Sequence, residues 1–264
     1  MSNQTPLTEL ATFANTLADT ARKHTLRYFR QSVTVEHKSD ESPVTIADRE
    51  TEQQLRRLLA KHYPEHGVFG EEFANELSDQ RFVWVIDPID GTKSFISGLP
   101  TFGTLIAVLD EGQPLLGILD MPALNERWQG LSGAATLFNG KPCQTRSTRT
   151  LATASLFATA PEMFQGSDKN RFDALTRHVR LRRFGGDCYA YGLLAAGFID
   201  LVVEADLKPF DYCALINAVQ GAGGVITDWQ GNALGLASDG RVIAAANAGL
   251  HQQALAILTS DELF

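Results

Sequence analysis

Apolar residues recur at three- and four-residue steps from the start of the chain: Leu7, Leu10, Phe13, Ala14, Leu17, Ala18 and Ala21. That spacing predicts an amphipathic helix over residues 7–29. The polar, charged stretch 33–43 reads as a mobile loop or hairpin. A second helix is expected over 44–62, with Leu55, Leu58 and Leu59 on its apolar side and Pro64 and Gly67 closing it. Residues 68–72 form a short strand running into acid. The unbroken apolar run 82–86 predicts a buried strand that Pro88, lacking an N–H and fixed in φ, should stop. Strands over 101–108 and 115–119 flank Asp110-Glu111-Gly112 as a hairpin, 128–138 adds strand material, and Asn139-Gly140 is a tight turn.

Around 144–150 the composition turns to Ser, Thr and Arg, so a soft boundary is placed there, giving units 1–148 and 149–264. The second unit alternates. Strands are expected over 152–158, 180–184, 199–204, 224–227 and 242–245, and helices over 172–178, 188–196, 211–222 and 250–258. The chain thus reads as α+β in its first half and α/β in its second.

Composition removes some function classes. The chain has 264 residues, 44% of them hydrophobic, which excludes bulk disorder. A formal charge of −8, without a basic run, argues against a nucleic-acid partner. Cys143, Cys188 and Cys213 are far apart with no CxxC spacing, as suits a reducing, cytoplasmic setting. The first residues lack the basic and apolar regions of a secretion signal, and no apolar run approaches about 18 residues, so no membrane association is expected.

Candidate chemistry gathers where apolar runs end in acid: Glu71/Glu72, Asp87/Asp90 and Asp211, with Asp48 at the start of the second helix. Two carboxylates at the end of a buried strand repel each other and lose hydration, which calls for a cation. Gly91 allows a tight path, after which main-chain amides can face an anion. The stretch 84–95 therefore reads as holding a metal ion beside a phosphate. Oxygen-only ligands with no neighbouring histidine favour Mg²⁺ or Mn²⁺. Singly, each acid has a plainer reading: Asp211 as a helix cap, Glu72 as a solvated acid, Asp48 as helix-start electrostatics.

Together these segments resemble the inositol monophosphatase superfamily: Gly70-Glu71-Glu72, then Trp84-Val85-Ile86-Asp87-Pro88-Ile89-Asp90-Gly91-Thr92, then Phe210-Asp211 ahead of Gly221-Ala222-Gly223-Gly224. Phe210 stands where many members carry Trp. The resemblance implies alternating helix and sheet layers, αβαβα. It also implies a lithium-sensitive, Mg²⁺-dependent phosphomonoesterase acting on a small phosphate ester, commonly a homodimer. Two or three Mg²⁺ ions per site are implied, with Mn²⁺ able to substitute. Carried over by position, Glu71, Asp87 and the Ile89 carbonyl hold one metal, Asp87, Asp90 and Asp211 a second, and a weaker third sits near Glu71. Asp48 and Thr92, with Glu71, orient and activate the attacking water. Asp90 and the amides of Gly91 and Thr92 meet the phosphate. The 38–43 loop becomes a flap that orders with metal, and attack is in line, without a phosphoenzyme.

The leaving group falls to the second half. Gly185-Gly186-Asp187-Cys188-Tyr189-Ala190-Tyr191 and Val203-Glu204-Ala205 are similar to the histidinol-phosphatase branch of that superfamily. Histidinol carries an ammonium and an imidazole and wants anions, which Asp187 and Glu204 can supply; Gly186 and Asp211 complete the expected substrate contacts. The plainer readings are an N-cap for Asp187, core packing for one of Tyr189 and Tyr191, and strand-end solvation for Arg182 and Arg183. Rival substrates are inositol 1-phosphate, a broad set of esters, bisphosphorylated sugars, and phosphoadenosine phosphate, which needs basic residues for a second phosphate. A silent metal-binding relative should have lost a ligand, and none of these acids is missing.

Overall fold

The computed structural model describes residues 6–32, 34–37, 43–77 and 79–260. Residues 38–42 of the expected flap lie outside that set. The chain runs α1 (Leu7–Tyr28), β1 (Val35–His37), β2 (Pro43–Thr45), α2 (Ile46–His62), β3 (Gly67–Gly70), β4 (Phe82–Asp90), α3 (Thr92–Ile96), β5 (Gly103–Asp110), β6 (Gln113–Met121), β7 (Glu126–Leu131), β8 (Leu137–Phe138) and β9 (Lys141–Pro142). It continues through β10 (Ser155–Ala158), α4 (Gly166–Thr176), β11 (Leu181–Phe184), α5 (Tyr189–Ala195), β12 (Leu201–Glu204), α6 (Pro209–Gly221), β13 (Val225–Thr227), β14 (Val242–Ala245) and α7 (Ala248–Leu258).

Strands β3 to β9 form one seven-stranded sheet in chain order, antiparallel except for β3 beside β4. A five-stranded mixed sheet has the order β11-β10-β12-β14-β13. Side-chain alternation explains the layering. On the first sheet Trp84, Ile86, Ile106, Val108 and Ile118 face α1 and α2. Their sequence neighbours Val83, Val85, Leu105, Ala107 and Leu119 face α5 and α6. The far side of that middle helix layer meets Val202, Val242 and Ala244 of the second sheet. The opposite face of the second sheet, Leu201, Val203, Ile243 and Ala245, packs on α4 and α7. The five layers are αβαβα, as the resemblance implied.

Turn chemistry matches the sequence. Glu111 and Gly112 have φ of +48° and +79°, the two-residue I′ geometry that joins β5 to β6, and Asn139-Gly140 does the same between β8 and β9. Three expectations need correction. β4 does not stop at Ile86: it continues through Pro88 to Asp90, because the pairing with β5 shifts register between Asp87 and Asp90 and a bulge needs no donor from proline. α4 begins at Gly166 rather than 172, since its first turns are polar and carry no apolar stripe. α6 begins at Pro209, which fits a first helical turn because its missing N–H would have no partner there. The 33–43 stretch is a hairpin where described: β1 pairs antiparallel with β2, Val35 opposite Thr45.

Candidate active site

The bulge in β4 turns successive carboxylates toward one point. Asp87 is buried, and its Oδ1 accepts the Ile89 N–H at 2.9 Å, which curls the strand back on itself. Thr104 Oγ1 donates to the Pro88 carbonyl at 2.8 Å and pins the bulge to β5. Gly91, at φ +78°, then starts α3; a Cβ there would sit 2.9 Å from the Asp187 carboxyl carbon. Glycine is required on both counts.

Other elements bring the remaining acids in. Glu52 of α2, fully buried and paired to Arg56 at 2.8 Å, accepts the Glu72 N–H at 2.8 Å and so fixes the loop bearing Glu71. Gly70 must be glycine, because a Cβ would lie 2.1 Å from Glu52 Oε1. Asp211 is the third residue of α6; its Oδ2 accepts the Lys208 N–H at 2.7 Å, closing the helix start. Asp48 plays the same local part in α2, with Oδ2 accepting from Thr45 N at 2.8 Å and Thr45 Oγ1 at 2.6 Å. Asp48 thus serves the start of its helix as expected, and Asp211 does so from the third helical position rather than as the cap, which is Lys208, but each spends only one oxygen on it. The other Asp48 oxygen lies 3.3 Å from Thr92 Oγ1, which is also 3.1 Å from the Ile89 carbonyl.

One carboxylate oxygen each of Asp87, Asp90 and Asp211 lies within 4.8 Å of the other two, and Glu71 hydrogen-bonds Asp87. Desolvation, and then the charges of Glu71, Asp90 and Asp211, push Asp87 well above the usual carboxylate range. Asp211 is raised well above it by desolvation and the charge of Asp90. Asp90 is pushed up to about 7 by desolvation and by Asp187, although its Oδ2 accepts the Cys188 N–H at 2.7 Å. Burial also raises Asp48. Such a cluster is costly without a cation, and its all-oxygen donors fit a hard divalent ion.

At the cluster opens a cavity of about 210 Å³, whose lining includes Glu71, Asp90, Gly91, Thr92 and Asp211 together with Asp187 and Glu204. The structure thus gathers Glu71, Asp90, Gly91, Thr92, Asp187, Glu204 and Asp211 at one opening, with Asp87 beneath. Gly186 does not line it: its carbonyl accepts the Ala190 N–H in the turn into α5. A larger cavity, lined by Pro114, Leu131 and Gln220, holds none of these acids.

Several contacts at this opening escaped the sequence reading. Asp187, buried at φ +43°, does not cap α5; its Oδ2 accepts from Ser94 Oγ at 2.5 Å. Glu204 is held from two sides, by Thr159 N at 2.9 Å and by the Tyr191 hydroxyl at 2.8 Å. Burial raises both acids. Tyr191 is thus more than filler, while Tyr189 packs edge-on against Trp128 at 6.0 Å. Arg182 and Arg183 lie over Phe184 and Phe157 on the edge strand, outside the cavity lining. None of these pairings had a sequence signal, since each joins residues far apart along the chain or turns a hydroxyl onto a buried acid.

Clustered carboxylates under a glycine turn, beside an open cleft, are the arrangement that a metal-dependent hydrolase of phosphate esters needs. The inositol monophosphatase family model matches residues 6–262. A chloroplastic bifunctional phosphatase, IMPL2, of Arabidopsis thaliana is 43% identical, over 97% of this chain and 78% of its own. A histidinol-phosphatase of Chlorobaculum parvum is 36% identical over 93% and 95%. An inositol monophosphatase structure from Zymomonas mobilis superposes with a TM-score of 0.90 at 43% identity, covering 97% of this chain and 100% of that one. The chain belongs to the inositol monophosphatase family and is a phosphoric monoester hydrolase. Among the described residues no helix is long and apolar enough to cross a membrane.

Proposed function

We propose that this protein is a Mg²⁺-dependent histidinol-phosphatase, releasing histidinol and phosphate. The observation that carries the reading is a pair of buried carboxylates beside the acidic cluster: Asp187 and Glu204, both held in place, line the same cavity. A neutral polyol wants mixed donors and acceptors; an alcohol bearing an ammonium and an imidazole wants anions, and these two carboxylates supply them. The histidinol-phosphatase relatives support the same reading.

Asp87, Asp90, Asp211, Glu71 and the Ile89 carbonyl would hold two or three Mg²⁺, with Mn²⁺ as a substitute. When bound, these ions neutralise the phosphoryl oxygens and lower the pKa of water. The chain's own part is to orient and to move a proton. Thr92 Oγ1 takes a proton from the attacking water as it passes its own to Asp48 Oδ1. Burial makes Asp48 a stronger base than an ordinary carboxylate. The amides of Gly91 and Thr92 meet the phosphoryl oxygens beside Asp90. Asp187 and Glu204 hold the alcohol for in-line departure. Family resemblance adds lithium sensitivity and a homodimer working in the cytoplasm, where the three free cysteines stay reduced.

The Zymomonas mobilis structure, described as an inositol monophosphatase, favours a second reading, inositol-1-phosphatase activity. Phosphoadenosine phosphate suits the opening less well, since Lys93 is the one cationic side chain among the described residues lining it. Initial rates on histidinol phosphate, inositol 1-phosphate and phosphoadenosine phosphate, each with and without Mg²⁺, test the proposal. The first should lead by kcat/KM, and a lead for inositol 1-phosphate would replace it with the second reading.

A further inference from the structure

An ester that is itself an anion must enter a cavity whose lining carries Glu71, Asp90, Asp187, Glu204 and Asp211. Bound divalent ions would answer the charge of the acids clustered under the Gly91 turn, but Asp187 and Glu204 are not in the trio that could share an ion. Among the described residues that line the cavity, one group compensates, Lys93. It is the second residue of α3, between Thr92, which faces Asp48, and Ser94, which is buried against Asp187. The helix start therefore sends three successive side chains three ways, and only Lys93 is left exposed at the opening. Its positive charge reaches Asp187, where it opposes the effect of burial.

We propose that Lys93 is the residue that captures the ester's phosphate, and that Asp187 restrains it until a cationic leaving group takes its place. With no substrate the Lys93 ammonium is drawn toward Asp187. An ester bearing an ammonium gives Asp187 a new partner and frees Lys93 to turn to the phosphate, so one exchange of ions rewards both ends of the substrate. An ester with a neutral alcohol leaves Lys93 divided between phosphate and Asp187. This last step rests on the histidinol-phosphatase reading; phosphate capture by Lys93 does not. A long, flexible ammonium suits such an exchange better than a rigid guanidinium, since it acts as a movable point charge.

The test uses the Mg²⁺-loaded enzyme and inorganic phosphate as a competitive inhibitor, which carries no leaving group. Lys93→Met should weaken phosphate inhibition about tenfold at low salt and flatten its dependence on ionic strength, with Lys93→Arg recovering most of the loss. For substrates the loss should fall on KM more than on kcat. Asp187→Asn should tighten phosphate binding several-fold, and should not do so in a Lys93→Met background. Added histidinol should tighten phosphate binding to the unsubstituted enzyme and not to Lys93→Met. An unchanged phosphate constant in Lys93→Met overturns capture, and equal tightening by histidinol in both proteins overturns the exchange. Should histidinol fail to bind at all, the substrate reading falls, while the phosphate arm still decides the role of Lys93.

Discussion

Thr92 Oγ1 lies 3.3 Å from Asp48 Oδ1, and the second oxygen of the same carboxylate closes the start of α2 by accepting from Thr45. One side chain thus joins a structural task to a chemical one, and the two can be separated. Asp48→Asn keeps an oxygen that can accept from Thr45 but loses the proton acceptor. We expect kcat to fall by roughly 10²–10⁴-fold, the usual contribution of a positioned base. Thermal stability should change by no more than about 1 kcal/mol, the scale of a weakened cap. Comparing kcat with the melting curve checks this; a collapse of stability matching the loss of activity would reduce Asp48 to a cap.

The acidic cluster predicts how metal and pH act on stability. Asp87, Asp90 and Asp211 all have folded pKa values above the ordinary carboxylate value, Asp90 at about 7. Across that interval the native chain binds more protons than the unfolded chain, so without metal its stability falls as pH rises from about 4 through about 7. Mg²⁺ should remove most of this fall and raise stability by about 2.7 kcal/mol at a hundred times its dissociation constant. Melting curves in EDTA and in Mg²⁺ across this range decide it; a flat EDTA profile would mean the three carboxylates do not share a site. Asp90→Asn should abolish turnover of every ester while making the metal-free protein less sensitive to pH.

Asp187 and Glu204 were visible in the sequence as acids at a helix start and a strand end, and the metal-site acids as apolar runs ending in carboxylate. Such signals are local, and so were legible. The partners that give them meaning are not local: Ser94 meets Asp187 across 93 positions and the Cys188 amide meets Asp90 across 98. Which of Tyr189 and Tyr191 serves only as packing stays open along the chain, because a hydroxyl turned to a buried acid has no linear signature. The continuation of β4 past Pro88 was missed for a related reason. A bulge is a property of two strands, and only one of them is in view along the chain.

Leaving-group recognition has its own test in Asp187→Asn. This change keeps the Ser94 hydrogen bond possible and removes the charge. It should lower kcat/KM for histidinol phosphate about a hundredfold, the cost of breaking one side of a buried ion pair. Loss on an amine-free ester such as glycerol phosphate should stay below about threefold. Equal losses on both substrates, read from initial rates, would remove the specificity argument.

His66 predicts acid sensitivity away from the site. Its Nδ1 accepts from Trp84 Nε1 at 3.0 Å, which requires the ring nitrogen to be unprotonated, and burial lowers its pKa. The folded value lies below the unfolded one, so the contribution is complete above about pH 6.5 and is lost as pH falls through the folded value. Denaturation midpoints of the unsubstituted protein and His66→Gln should converge as pH drops from about 7.5 to about 5. Parallel loss in both would place the acid sensitivity elsewhere.

The last prediction concerns how α6 reaches the site. This helix lies against the seven-stranded sheet because two strand residues have no side chain: a Cβ on Gly117 would sit 1.9 Å from the Ala214 carbonyl oxygen, and one on Gly130 would sit 2.2 Å from the Asn217 carbonyl carbon. Both obstacles are helix backbone, which cannot swing aside as a side chain can, so an added methyl must lift the helix. Overpacking of this kind costs about 1–3 kcal/mol. The same helix carries Asp211 in its first turn, whose carboxylate oxygen belongs to the trio within 4.8 Å. Lifting α6 at Ala214, one residue-turn from Asp211, should therefore weaken Mg²⁺ binding as well as stability. Gly117→Ala should raise the Mg²⁺ concentration for half-maximal activity several-fold, at a temperature where the variant is still folded by circular dichroism. Gly112→Ala, in a hairpin tip with nothing within 4 Å of the added carbon, should cost stability through its φ of +79° and leave the Mg²⁺ requirement where it was. If Gly117→Ala loses stability with an unaltered Mg²⁺ requirement, the helix bears Asp211 without setting its position.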